Sequence, residues 1–529
     1  MGLGILEPRE PVVKGTIQLF DDNGSGEHLT TTTHLKHSQD GKILLSPQPS
    51  DSPDDPLNRS LLKRDIQYFL VLLATILSGI HGPMLSPVTI QLSIQYGKTI
   101  TDIAQLSSYM TLAIGLFAYA FSVIVSVLGK RGVVVIGCAI LVAADAWGAV
   151  ASNYNSMLGC RILSGIGQAV FEAISITMVA DMYFVHERGV RIGLFIYALQ
   201  SGVFLGVPIV TQVIGKSGLR WAFGGLAIAE AITLVLLFFL FEETAFKREH
   251  VDVTAHRDED EILAKEEKNG VRHIERTTSA SPSTEPRPRS YWSKLNMYQG
   301  RFSQQNPLLL LVRVLALNFH PTIFWAAVTG LPASWLVGLS FTVNVLLAAP
   351  PWNFSSQAIA NLYIAGWIGC TFGMALAMPI DWLAKRAAKR NNNIYEPEFR
   401  LFMVVPSTIF VVVGLSLWGW GGSHGASWPA MAVFFVIAAA GSVLINSALI
   451  AYLIDAHRQF AIESQVVLFA FKNLMPFAMG YFWVPWWFVD GNQVVWVSVF
   501  RVFRSSLHTD DFRRAPYLEY LPALRCSAL

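Results

Sequence analysis

Charge is scarce in this chain. Only 14% of its 529 residues are Asp, Glu, Lys or Arg, where a soluble domain carries about 25%. A water-facing globule is thereby excluded as the main body of the protein. Bases and acids nearly cancel, leaving a net charge of +2, so there is no field to attract nucleic acid and no such partner is expected. The four cysteines, Cys138, Cys160, Cys370 and Cys526, are too few for a disulfide framework. Three of them fall in apolar stretches and read as packing residues. The first 60 residues lack an apolar run of signal-peptide length, so no cleavable leader is expected. No Gly-x4-Gly-Lys-Ser/Thr stretch exists to cradle ATP phosphates. The closely spaced histidines, His34 and His37, lie in a polar N-terminal stretch. No metal site, no cofactor and no enzymatic activity are therefore expected.

Long apolar runs are what the chain has. Apolar segments of about 20 or more residues, the length a bilayer core requires, lie near 66–90, 103–128, 132–152, 155–181, 191–214 and 222–242. Five more follow near 314–347, 357–380, 401–420, 428–454 and 464–489. The expected organisation is a disordered tail over 1–64, a six-helix bundle over 65–242, a polar linker over 243–305, and a second bundle over 306–490. After residue 489 the apolar run is short and is cut by Arg501 and Arg504. A twelfth span is expected to be missing or altered, with 491–529 an atypical tail.

Basic residues in short loops set orientation. With the N-terminus inside, the inner loops hold Lys130, Arg131, Arg188, Arg191, Lys385, Arg386, Lys389, Arg390, Arg400 and Arg458, against Lys98, Lys216 and Arg220 outside. The tail and the linker are thus expected in the cytoplasm. The halves echo one another: span four ends in Asp181, followed by His186 and Arg188, and span ten ends in Asp455-Ala-His457-Arg458. That offset of six spans points to two parallel repeats.

Ionisable residues inside the spans carry the chemistry. Each costs about 2.5–3.5 kcal/mol at the helix centre on the lenient insertion scales, so such groups face cavities or partners. Glu172 sits near the middle of span four, where desolvation favours a neutral carboxyl; a structural hydrogen bond is the bland alternative. Asp145 and Arg161 stand eight residues either side of Asn153. Antiparallel helices would bring them to matching depth, roughly 12 Å in at 1.5 Å per residue, and an ion pair is expected. Glu230 is expected to pack on a peripheral helix. Lys472 and Asn473 on span eleven are candidate substrate contacts.

Several stretches resemble the major facilitator superfamily, in particular its fungal drug:proton antiporter branch. Arg161-Ile-Leu-Ser-Gly165-Ile-Gly167 resembles the Arg-x-x-x-Gly-x-Gly signature of helix four. The run from Glu172 through Asp181 to Phe184-Val-His186-Glu187-Arg188-Gly189 matches the fungal branch. So do Ala349-Pro-Pro-Trp-Asn353-Phe-Ser and Asn393-Ile-Tyr-Glu-Pro-Glu-Phe-Arg400. The helix-five antiporter pattern is approximated by Gly202-Val-Phe-Leu-Gly206-Val-Pro208, with the proline displaced by one place and the later glycines gone. The loop after span two keeps Lys130-Arg131 but lacks the family's acidic residue.

The resemblance implies an all-α membrane protein of two six-helix half-bundles, with helices one, four, seven and ten around a central cavity. It implies a proton-coupled secondary transporter exporting small organic compounds by alternating access. A proton-coupled importer of amines or nutrients, or an inactive truncated transporter, are the alternatives. Glu172, Asp145 and Arg161 are the candidates for proton coupling. Asp181, Glu187, Arg188, Lys130, Arg131, Asp381, Arg386, Asp455 and Arg458 are the candidates for a cytoplasmic gate. The expected partners are a small-molecule substrate and the lipid bilayer, for a monomer in the plasma membrane with the proton gradient as its energy source.

Overall fold

The computed structural model describes residues 17–18, 47–50, 52–246, 290–391, 394–457 and 460–507. The spans are helices whose lengths follow their apolar runs. Spans one to six are Leu61–Ile80, Ile100–Leu128, Arg131–Val150, Tyr154–Met182, Val185–Ser217 and Leu219–Leu240. Spans seven to ten are Pro321–Ala348, Ser356–Ala377 (running on as Ile380–Arg390), Val404–Ser423 and Trp428–Ala456; span eleven begins at Ala461. Among the described residues ten helices are long and apolar enough to cross a bilayer. Span one is the further one, with Lys63, Arg64 and Asp65 at its start. Apolar side chains such as Leu116, Ile136, Ile228, Phe372 and Val413 are exposed on the outer faces, as a surface facing lipid tails requires.

Local chemistry fixes where the helices start. Thr99 and Asp102 form a reciprocal capping box at span two, and Asn153 and Ser355 accept from backbone N–H groups at the starts of spans four and eight. Each cap satisfies donors that the first helical turn leaves open.

The packing repeats at an offset of six spans. Span one packs on five, two on four, three on four and three on six; correspondingly seven packs on eleven, eight on ten and nine on ten. The halves join along two seams, span two with eleven and span five with eight, and the offset maps one seam onto the other. The end bearing the basic loops is called the inner end below, following the charge bias.

Two expectations need correction. The helix that begins at Ala461 runs to Leu507, broken only at Gly491 (φ 80°, ψ 163°), a left-handed backbone that glycine adopts without a Cβ clash. Beyond the break Trp496 is fully buried, its ring 5.1 Å from Trp483 and its side chain against Gly419 of span nine. Thirteen residues of straight helix would separate those tryptophans by about 20 Å, so the chain turns back. The segment after Gly491 therefore packs on span nine as span six packs on span three, and a short helix stands where a twelfth span was expected to be missing or altered. The second correction is at span seven, whose expected start at 314 belongs to a separate helix, Pro307–Ala316; span seven itself begins at Pro321.

Among the described residues, a two-residue antiparallel ladder pairs Ile17–Gln18 with Ile394–Tyr395.

Candidate functional site

The middle of span four is not an α-helix. Residues Val170–Ile174 form a π-turn in which Ser175 N–H donates to the Val170 carbonyl at 3.0 Å. Such turns widen a helix by one residue per turn and recur at functional sites. Glu172 lies on this turn and is 3% exposed. Its Oε1 accepts from Lys472 Nζ at 2.6 Å and from Asn473 Nδ2 at 3.2 Å. These three residues, placed separately by sequence, form one cross-half contact between spans four and eleven. Glu172, expected as a desolvated carboxyl in an apolar span, is thus held by an amine and an amide of the other half.

Asp145 and Arg161 do not pair with each other. Asp145 Oδ1 is 3.1 Å from His81 Nε2, while Arg161 Nη2 donates to the carbonyls of His81 (2.5 Å) and Gly82 (3.2 Å). Both residues are fully buried. The break after span one brings His81 against both of them, and carbonyls at a helix C-terminus are a natural seat for a cation. Glu230, expected to be a packing residue, joins them, with Oε1 at 3.5 Å from His81 Nε2. His81 itself was missed; the sequence cue was His81-Gly-Pro83 in the middle of an apolar run.

The inner end carries two matching ion pairs. In the first half Lys130 pairs with Asp181 and also donates to the Thr177 carbonyl. In the second half Arg400 Nε is 2.6 Å from Asp455 Oδ2, which also accepts from Tyr395 OH at 2.7 Å. Each acid ends a repeat-related span, four or ten, and each base comes from the loop two spans earlier. Arg400 also pairs with Asp381, the acid for which Arg386 was a candidate; Arg386 lies over the Trp382 ring at 5.4 Å. Arg188 donates to the carbonyls of Tyr183 and Ala180 at the end of span four, and Glu187 lends its carbonyl to Arg191 Nη1 at 3.1 Å. Arg131 reaches the carbonyls of Phe241 and Phe238 at the end of span six. Arg458 lies outside the described residues.

Asp381 supplies an inner contact between the halves: it accepts from Val190 N–H of span five at 3.0 Å and from Arg400 Nη1 at 3.0 Å. Gly189 packs on it so closely that a Cβ would fall 2.0 Å from Asp381 Oδ1. Glu243, unremarked in the sequence, accepts from the N–H groups of Lys130 (2.9 Å) and Arg131 (3.1 Å). It thereby caps span three, whose own loop lacks an acid. Nearby, His320 and His457 meet edge-on at 5.0 Å. Burial lowers the pKa of both, and burial together with the facing His320 takes His457 down to about 4.

At the outer end, Ser86 donates to the Ser340 carbonyl at 2.5 Å and is 3.0 Å from Tyr363 OH. Asn344 Nδ2 donates to the carbonyls of Ser86 and Pro87. The halves are thus in contact at the inner end, at mid-depth and at the outer end. Gly202 and Gly206 lie against span one: a Cβ on Gly202 would sit 2.0 Å from the Ile76 carbonyl oxygen, and one on Gly206 2.6 Å from Ile80. The pattern is a small-residue seam that lets two helices approach closely. The carbonyl of Pro208 accepts from Gln357 of span eight at 3.4 Å.

Residues 68–482 match the family model described as Major Facilitator Superfamily. The chain belongs to that superfamily. It is 24% identical over 522 residues to an uncharacterised MFS-type transporter of Schizosaccharomyces pombe, covering 92% of this chain and 88% of that protein. It is 23% identical to a probable efflux pump, mfs2, of Aspergillus flavus, over 63% of this chain and 73% of the other. Among solved structures it resembles the human organic anion transporter MFSD10, with a TM-score of 0.57 at 14% identity over 85% of this chain and 99% of that one. It likewise resembles the proton:xylose symporter XylE, with a TM-score of 0.55 at 12% identity over 85% and 96%. The fold is therefore the major facilitator fold: a multi-pass membrane protein of the transporter family.

Proposed function

We propose that this protein is a proton-coupled secondary transporter that exports a small organic compound by alternating access, with Glu172 as the coupling carboxyl. The observation that carries the reading is the bond from Glu172 to Lys472 and Asn473. Rocking the halves apart requires this bridge to break. A proton on Glu172 removes its charge, releases the Lys472 ammonium, and lets spans four and eleven separate; losing the proton restores the bridge. Proton transfer and conformational change are then one event. Asp381, Arg400 and Asp455, with Lys130 and Asp181, form the inner gate, and the N-terminus lies in the cytoplasm with the protein in the plasma membrane. Export is supported by the name of the probable efflux pump it resembles and by the fungal antiporter motifs. The working unit is a monomer.

The experiment is flux in proteoliposomes holding the purified full chain under an imposed pH gradient, screened against a panel of small organic compounds. The parent accumulates at least one compound uphill. Glu172→Gln loses uphill accumulation yet still equilibrates the compound downhill. Unchanged uphill transport at about pH 5.5 in Glu172→Gln would remove Glu172 from the coupling role.

A further inference from the structure

The transport scheme above leaves one buried cluster without a task. His81 follows the last turn of span one, Asp145 is on span three and Glu230 on span six; none is more than 1% exposed. One ligand atom from each lies within 4.8 Å of the others. His81 Nε2 is 3.1 Å from Asp145 Oδ1 and 3.5 Å from Glu230 Oε1. His81 Nδ1 is 3.1 Å from the Ser78 carbonyl, which can only accept, so Nδ1 carries a hydrogen. A neutral His81 would then turn a lone pair on Nε2 toward two carboxylates, setting three acceptors face to face with no hydrogen among them. Without an added proton no donor is in hydrogen-bond contact with Asp145 Oδ2 or with either oxygen of Glu230, and buried acceptors in that state cost free energy. One added proton among these atoms supplies the missing hydrogen and removes one negative charge.

Charge selects the cation. The titratable and charged groups facing the cluster are Cys138 on span three, whose thiol donates to the Glu230 carbonyl at 3.6 Å, and Cys160 and Arg161 on span four. Cys160 donates to the Ala144 carbonyl at 3.2 Å; Arg161 is held on the His81 and Gly82 carbonyls. Arg161 contributes one positive charge and the two carboxylates two negative ones, so a single added proton brings the sum to zero. A divalent metal would leave an excess positive charge beside a guanidinium, with three donors where a buried tetrahedral site needs four. Alkali and alkaline-earth cations want more oxygens than two carboxylates give.

We propose that His81, Asp145 and Glu230 form a proton-binding site, distinct from Glu172, whose occupancy controls the outer seam. The link is span one itself. Its helix stops at Ile80, and a few residues later Ser86 and Pro87 make the outer contacts with Ser340, Asn344 and Tyr363 of the other half. Removing the proton leaves one uncompensated negative charge in a dry site at this break. Admitting water by opening the outer end relieves it. The deprotonated site therefore favours an open outer seam, and loading a proton from outside closes it. This rests on alternating access but not on Glu172 being the coupling carboxyl.

The test is labelling of Ser340→Cys with a membrane-impermeant maleimide, in proteoliposomes containing the full chain. This substitution keeps the Ser340 carbonyl that receives Ser86. Maleimide reactivity itself rises with pH, so rates are divided by those of a control thiol at Ser217→Cys, an exposed position at the outer end of span five. The corrected rate should rise at least about threefold between roughly pH 5.5 and 8.5, a modest population shift. Adding His81→Gln or Glu230→Gln should abolish the rise, whereas adding Glu172→Gln should leave it in place. If the neutral variants fail to fold, Glu230→Asp keeps a carboxylate and should retain the rise with its midpoint displaced. A flat parent profile, a rise that survives both neutral substitutions, an undisplaced midpoint in Glu230→Asp, or stoichiometric bound metal by elemental analysis would each overturn the proposal. Loss of the rise in Glu172→Gln alone would assign the proton to Glu172 and overturn the second site.

Discussion

Removing the ammonium of Lys472 isolates the cross-half bridge. Its side chain is 24% exposed and that of Glu172 5%, with Nζ 2.6 Å from Oε1. Lys472→Met keeps an unbranched stem and deletes the charge, including the Nζ that lies 5.2 Å from the Phe469 ring centroid. Glu172 is then left as a buried carboxylate with only the Asn473 amide at 3.2 Å. A hydrogen bond to a charged group contributes about 1.5–3 kcal/mol, and partial exposure of the lysine places this one at the low end, about 1.5–2 kcal/mol. Glu172→Gln also breaks the charge pair, while its amide oxygen still accepts from Asn473. The double variant leaves no unpaired charge, so it should cost less than the sum of the singles by about 1 kcal/mol or more. Reversible unfolding in mixed detergent micelles gives the four free energies of the cycle. Single-variant losses that add to within about 0.3 kcal/mol would mean that the two groups do not interact, and the bridge would be discarded.

Gly189→Ala pushes a methyl into Asp381 and displaces its carboxylate from Val190 N–H. A loss of about 1–2 kcal/mol at the inner contact changes the open-to-closed ratio about five- to thirtyfold, read as faster labelling of inner-end cysteines; an unchanged rate refutes the contact as a gate. His457, with its folded pKa below the unfolded value of about 6.5, favours the folded state fully above that pH and progressively less as pH falls toward its folded value of about 4. Thermal unfolding should therefore show an acid-side loss in that window that His457→Gln reduces, and a superimposable profile in the variant would exclude the histidine pair as its source.

The length and polarity of the apolar runs determined, without any structure, that the chain is a bundle of membrane spans in two echoing halves. Spans two to six and eight to eleven fall within a few residues of where hydropathy put them, because a bilayer core demands about 20 apolar residues whatever surrounds them. The same scarcity of charge singled out Glu172, Asp145, Arg161 and Lys472, since an ionisable group in an apolar span stands out. Partners were another matter. Nothing in sequence spacing joins Glu172 to a lysine three hundred positions away, and helical periodicity gives no sign of the π-turn that carries it. Matching depth was expected to pair Asp145 with Arg161, but only the break after span one brought His81 against both of them and Glu230 beside it. Arg400, rather than the nearby Arg386, meets Asp381, and it also reaches Asp455, because the approach of the loop, not its basicity, decides which cation reaches the acid. The helix after Gly491 is likewise held by Gly419 and Trp483, contacts that arise only once span nine is in place. Burial along one helix is a local property of sequence; which charges share a buried site depends on how separate helices cross, and that is fixed by packing.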